Sequence, residues 1–160
     1  MLKVLVEGCG PQRGTKYSAC VDLFASESVL IDNYKTCLIP LGVKIDKEAL
    51  RSIVVGNKNF TCEMEEDIFE VFKKTHFLQL MLRSSLSKHL IIANGVGVID
   101  MDYDGEIMMR VHNPSDSSYH VAKGDKVAQI TLLSHRSDLF NIDTETKRTG
   151  GFGSTDKEAK

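Results

Sequence analysis

The sequence has no C-x-x-C pair, no apolar run long enough to span a bilayer, no internal repeat and almost no net charge. Each absence removes a class of protein. Cys9, Cys20, Cys37 and Cys62 stand apart from one another, and no pair among the five histidines falls at metal-ligand spacing. That argues against a zinc site and for reduced thiols in a cytosol-like compartment. The apolar start, Met1-Leu-Lys-Val-Leu-Val-Glu-Gly, is too short for a signal peptide, and nothing downstream approaches a membrane span. A cytoplasmic protein with no membrane partner is expected. With 20 Lys+Arg against 22 Asp+Glu the formal charge is −2, so the net field does not draw the chain to nucleic acid. Any polyanion it binds is a small one, met by a local basic pocket.

What is present fits a globular protein: 160 residues, 42% hydrophobic and 26% charged. At this length folding hides roughly 70% of the surface that the unfolded chain exposes, enough for a core without disulfides or structural metal. Residues 36–46 alternate, with Cys37, Ile39, Leu41, Val43 and Ile45 on one side, and predict a half-buried strand that Pro40 marks as an edge or bulge. Similar short runs recur at 2–6, 77–82, 107–111 and 127–133, between turns at Asn113-Pro114 and Lys123-Gly124-Asp125. The rhythm predicts a mostly β, antiparallel barrel or sandwich. One segment breaks it. From Cys62 to His76, Ile68, Val71 and Phe72 fall at helical offsets, with acids leading and Lys73 and Lys74 trailing. It reads as a short α-helix, near 62–75, inserted into the β scaffold.

Five stretches are too specific for scaffold alone: 18–25 around Asp22; Arg83-Ser84-Ser85-Leu86-Ser87; 94–106, from Asn94 through Gly95, Gly97, Val98, Ile99, Asp100 and Tyr103; Gly124-Asp-Lys-Val-Ala-Gln129; and 148–155, from Arg148 through Phe152, Gly153 and Ser154. In the third, Asp100 and Asp102 share a face of an extended chain, and Gly95, Gly97 and Gly105 let backbone bend closely around a ligand. Asp100 is a candidate general base or a hairpin cap, and Tyr103 a ligand-stacking ring or a core-lining aromatic. Arg83 and its hydroxyl neighbours emerge from an apolar strand, where they grip phosphate oxygens or form a solvated rim. Gln129 reaches a ligand or pairs with a neighbouring strand. The glycines around Phe152, preceded by Lys147 and Arg148, suit a lid whose N–H groups and cations close over polyphosphate, or a loose terminus. His76, His89, His112, His120 and His135 read as surface or partner-satisfied residues.

Taken in order and spacing, the five stretches resemble the signature motifs of the homotrimeric deoxyuridine triphosphate nucleotidohydrolases (dUTPases), from about Ala19 to Thr155. The resemblance implies a jelly-roll-like or distorted-barrel subunit, residues 1–146, with a flexible C-terminal arm, 147–160. It implies a homotrimer with active sites at the subunit interfaces, each closed by an arm, and hydrolysis of dUTP to dUMP and pyrophosphate with Mg²⁺ on the triphosphate. Asp100 would activate the attacking water. Asn94, Gly97, Val98 and Ile99 would read uracil, Tyr103 would sit under the deoxyribose, and Met108 would be a further substrate-binding residue. Arg83, Ser84, Ser85, Gln129 and Arg148 would hold phosphate, with Gly153 and Ser154 in the closing arm, and Phe152 would stack on the base. Asp22 would steady a water on Mg²⁺. The sequence departs from the pattern at Cys20-Val21 and Ser85-Leu86-Ser87, and Arg148 lies one residue nearer the phenylalanine than usual, so Lys147 or Arg148 takes the arginine's place. The segment from about 47 to 75 is longer than the family's usual link between the first two motifs, so the resemblance marks it as an insertion whose helix is outside the pattern. Two other functions compete: a dCTP deaminase of related fold, and a regulatory protein that engages a protein partner through Ile68, Phe69 and Phe72 of the inserted helix.

Overall fold

A computed structural model describes residues 1–56, 60–140 and 142. It is built mostly of strands. The largest sheet has five: β2 (Gln12–Arg13), β3 (Val21–Phe24), β12 (Lys126–Ser134), β7 (His76–Leu82) and β9 (Gly97–Asp100), in that spatial order. A three-stranded sheet joins β5 (Thr36–Pro40), β10 (Met108–His112) and β8 (Ile91–Ile92). Two small pairs complete the layers, β1 (Leu2–Val4) with β6 (Val43–Ile45), and β4 (Val29–Ile31) with β11 (Tyr119–Val121). Among the described residues every pairing is antiparallel.

Alternation drives the central sheet. Leu78 and Leu80 of β7, Ile130 of β12 and Leu23 of β3 are buried, while Phe77, Gln79, Met81, Gln129 and Thr131 take the other face. The inner face packs with Ile39, Met109 and Val111 of the second sheet into one core. The strands expected at 77–82, 107–111 and 127–133 are present to within a residue or so.

The expected continuous strand over 36–46 is corrected. It breaks after Pro40 into β5, an edge strand, and β6, in a different sheet. The turn is made at Gly42, with φ +64°, where a side-chain carbon would lie 2.9 Å from the Cys9 Cβ. Only glycine both adopts that φ without strain and leaves room for Cys9.

Among its described residues the insertion holds two helices, not one. Residues Lys47–Val55 form α1, capped by Asp46, whose carboxylate accepts from the Ala49 amide at 3.0 Å. Residues Cys62–Thr75 form α2, capped by the Thr61 hydroxyl on the Met64 amide at 3.3 Å, with Glu63 and Glu65 in its first turn and Lys73 and Lys74 in its last. An Arg51–Glu66 ion pair ties the helices together, and α2 runs straight into β7, where the His76 ring stacks on Phe72 at 4.2 Å between centroids. Val71 is exposed; Phe69 is the buried residue of α2, in the main core, and Phe72 packs against that core. The reading of Ile68, Phe69 and Phe72 as a free docking face is thereby corrected: Ile68 is half-buried, and the helix needs Phe69 and Phe72 to sit on its own chain. Among the described residues no helix is long and apolar enough to cross a membrane.

Candidate active site

The candidate residues gather in two places. The first lies across β3, β12 and the end of β7. Register sets Gln129 opposite Asp22 on one side and opposite Met81 on the other, on the outer face of the sheet. Arg83 follows β7 directly, its amide donating to the Val127 carbonyl at 3.2 Å. Its own carbonyl accepts from Leu86 and Ser87 at 3.0 and 3.1 Å, starting a tight turn that buried Leu86 and Leu90 anchor. Ser84 and Ser85 are left exposed at the head of that turn.

Asp22 is the centre of this cluster. Its side chain is 12% exposed, and its oxygens meet Arg83 Nε at 3.2 Å and Lys126 Nζ at 3.3 Å. Arg83 is thus no solvated rim charge; a sheltered carboxylate holds its inner nitrogen. Lys126 was not among the expected site residues, although it lies in the same stretch as Gln129.

The second place is the turn after β9. Asn94 is exposed on the approach, where the Ala93 amide donates to the Arg110 carbonyl at 2.9 Å and Gly95 takes φ +74°. Gly97 is buried opposite Leu80, and a side chain there would press on Leu80 Cβ at 2.9 Å. Val98 is exposed, Ile99 faces the core, and Asp100 closes the strand, half-buried and opposite Phe77.

The chain then turns, with Tyr103 N donating to the Asp100 carbonyl at 3.1 Å, while Met101 is buried as an anchor. Asp102 therefore does not share an extended face with Asp100; it sits exposed in the turn.

Tyr103 is fixed from two directions. Its hydroxyl donates to the Glu106 carbonyl at 3.1 Å, and its ring covers Gly105 so closely that a side-chain carbon there would lie 2.6 Å from the phenol Cζ. Burial, with the Glu106 carboxylate added, pushes the phenol above its usual range, so it stays neutral at physiological pH. The Glu106 carboxylate in turn accepts from the Gly42 amide at 2.7 Å. Lys47, at the head of α1, pairs with Asp104 at 2.6 Å and donates to the Asp102 carbonyl at 3.3 Å, so the insertion grips the turn next to Asp100. Met108 is half-buried on β10.

These two places do not meet within one chain. Asp100 sits opposite Phe77, six residues before Arg83 on the same strand run. At ~3.3 Å per residue that is roughly 20 Å. A base and a phosphate-binding arginine serving one phosphorus need contacts within about 3–4 Å of it. An apolar cavity of about 370 Å³, lined by Leu2, Pro11, Val21, Leu78 and Ile130 among others, belongs to neither cluster. Arg148, Phe152, Gly153, Ser154 and Lys147, with the arm expected over 147–160, lie outside the described residues.

Of the remaining histidines, three are engaged in the scaffold: His89 stacks with Tyr119, His112 Nδ1 bonds the Thr36 hydroxyl and His135 Nδ1 the Ser137 hydroxyl; His120 lies exposed on β11.

Residues 69–156 match a family model described as dUTPase. A deoxyuridine 5'-triphosphate nucleotidohydrolase from Pseudomonas putida is 30% identical over 89% of this chain and 84% of its own length. In fold the chain is similar to a dUTPase from Streptococcus mutans, with a TM-score of 0.62 at 23% identity over 89% of this chain and 98% of that one. A second similar fold is a mutant dUTPase from phage phi11 of S. aureus, described with a structural Mg(II) ion, at a TM-score of 0.60 and 20% identity over 96% and 97% of the two chains.

Proposed function

The chain belongs to the dUTPase family and is a deoxyuridine triphosphate nucleotidohydrolase, and from that premise we propose how its residues divide the reaction. The Asp100 carboxylate accepts a proton from water as the water oxygen attacks the α-phosphorus of dUTP. The new P–O bond forms in line with the bond to the bridging oxygen, which breaks, and pyrophosphate leaves with dUMP retained. Arg83, Ser84, Ser85 and Gln129 hold the phosphate oxygens. Asn94 and the backbone from Gly97 to Ile99 read the uracil edge, Met108 borders the nucleoside, and Tyr103 forms the floor beneath the deoxyribose. A neutral ring pinned by Glu106 and Gly105 suits that role, because a floor that cannot move excludes a 2′-hydroxyl by shape. Phe152 stacks on the base as the arm closes, with Arg148 on the phosphates and Gly153 and Ser154 in the closing backbone.

The observation that carries this reading is the distribution of the two clusters. Asp22, Arg83 and Gln129 converge at one end of β7 and Asp100 with Tyr103 at the other, roughly 20 Å away along the strand. That supports a site shared between copies, with the phosphate cluster of one subunit facing the Asp100 turn of the next in a homotrimer.

For Mg²⁺, the donor set is informative. Among the described residues no group of three His, Cys, Asp or Glu could hold a metal, and Asp22 is occupied by two cations. Mg²⁺ would be a hard cation carried on the substrate phosphates, with Asp22 the residue that would hold it through a water. When bound, Mg²⁺ neutralises charge on the triphosphate.

A pyrophosphate-release assay across dUTP, dTTP, UTP and dCTP tests the proposal. dUTP should be turned over with kcat/KM at least about 100-fold above the others. Comparable turnover of dTTP or UTP, or ammonia released from dCTP as a deaminase would give, would overturn it.

A further inference from the structure

Strand β12 contains a one-residue bulge that changes which side chains face the phosphate cluster. Gln129 pairs with Asp22 and Ala128 with Leu23, but Lys126, not Val127, pairs with Phe24. Val127 is the extra residue. Both Val127 and Ala128 are fully buried, although consecutive residues of a regular strand point to opposite faces. Without the bulge Lys126 would share the buried face with Ala128. With it, Lys126 lies on the face of Asp22 and Gln129, its ammonium 3.3 Å from the Asp22 carboxylate and 5.6 Å above the Phe24 ring.

Charge then decides what this lysine does. Asp22 alone would neutralise Arg83, leaving an ion pair with no net attraction for an anion. Adding Lys126 gives two cations to one carboxylate, a net +1 beside two exposed serine residues. Bulges beside functional sites commonly re-aim a side chain, and this one turns Lys126 from the buried face to the face of Asp22. We propose that Lys126 is a further phosphate-binding residue of the site, contacting the triphosphate beside Arg83 while Asp22 positions both. The inference rests on the phosphate role of Arg83 given above.

Its test is equilibrium binding of α,β-imido-dUTP and of deoxyuridine, which has no phosphate, to wild type and to Lys126→Met, Lys126→Arg and Arg83→Ala variants. Lys126→Met should weaken the imido nucleotide by about tenfold, the usual worth of a charged hydrogen bond, and reduce its salt dependence. Deoxyuridine affinity and the melting temperature should stay unchanged, and Lys126→Arg should restore the nucleotide to within about threefold, since it keeps the charge. If Lys126→Met binds the imido nucleotide like wild type while Arg83→Ala does not, the inference fails and the phosphate reading stands. If Arg83→Ala is also without effect, both fail. Equal losses for nucleotide and deoxyuridine would make Lys126 a structural residue and overturn the inference as well.

Discussion

Replacing Asp100 with Asn should leave a folded protein that still binds dUTP but turns it over roughly 10²–10⁴-fold more slowly, the range in which a positioned general base contributes. The substitution conserves shape while it removes the negative charge and the capacity to accept a proton. The position favours a clean result: Asp100 is half-buried at the last residue of β9, and the turn behind it is held by buried Met101 and by the Tyr103 amide, neither of which the change disturbs. Steady-state kcat on dUTP and the affinity for α,β-imido-dUTP separate the two effects. A kcat within about tenfold of wild type would remove Asp100 from the chemistry.

Truncating Arg83 to Ala should lower kcat/KM by roughly 10–100-fold, as expected when a charged donor to phosphate is lost. The fold should survive, because Asp22 keeps Lys126 as a partner and is not left as an uncompensated buried charge. Arg83→Ala should therefore melt within a few degrees of wild type, and added salt should affect its KM less than it affects that of the parent. Loss of the folded state, or an unchanged KM, would contradict the role assigned to the guanidinium.

Much of the scaffold was legible because alternation leaves a direct trace in the chain. Leu78 and Leu80 against Gln79 and Met81 identify β7 without any knowledge of its partners. The helix over Cys62–Thr75 announces itself by its acids, its lysines and its apolar spacing, although the buried residue is Phe69 and not Val71. The helix over Lys47–Val55 does not. Its Ser52-Ile53-Val54-Val55 run is rich in β-branched residues that read equally well as strand, and the usable signals were Asp46 as a cap and Gly56 beyond the end. At Gly42 the period-two pattern continues across a change of sheet, because both flanking strands bury the same parity of residue.

The site divides in the same way. Motif order pointed to Asp22, Arg83, Gln129, Asp100 and Tyr103, and the structure brings the first three together. Lys126 escaped because regular alternation from Gln129 assigns it to the buried face, and only hydrogen-bond register reveals the extra residue at Val127. The distance between Asp100 and Arg83 escaped as well. Both lie in neighbouring stretches of sequence, and nothing local says that the antiparallel pairing of β9 with β7 sets Asp100 beside Phe77, at the far end of β7 from Arg83.

That distance makes subunit mixing the most direct measurement. Asp100→Asn and Arg83→Ala chains, each at about a tenth of wild-type activity or less alone, are co-expressed with different tags and purified through both, so that every trimer contains both kinds. If a site takes its arginine from one subunit and its aspartate from the next, each mixed threefold ring holds one intact site in three, and activity should recover to about a third of wild type. Activity no greater than that of the two parents would mean that both residues act from a single chain, and the shared-site reading of this enzyme would be wrong.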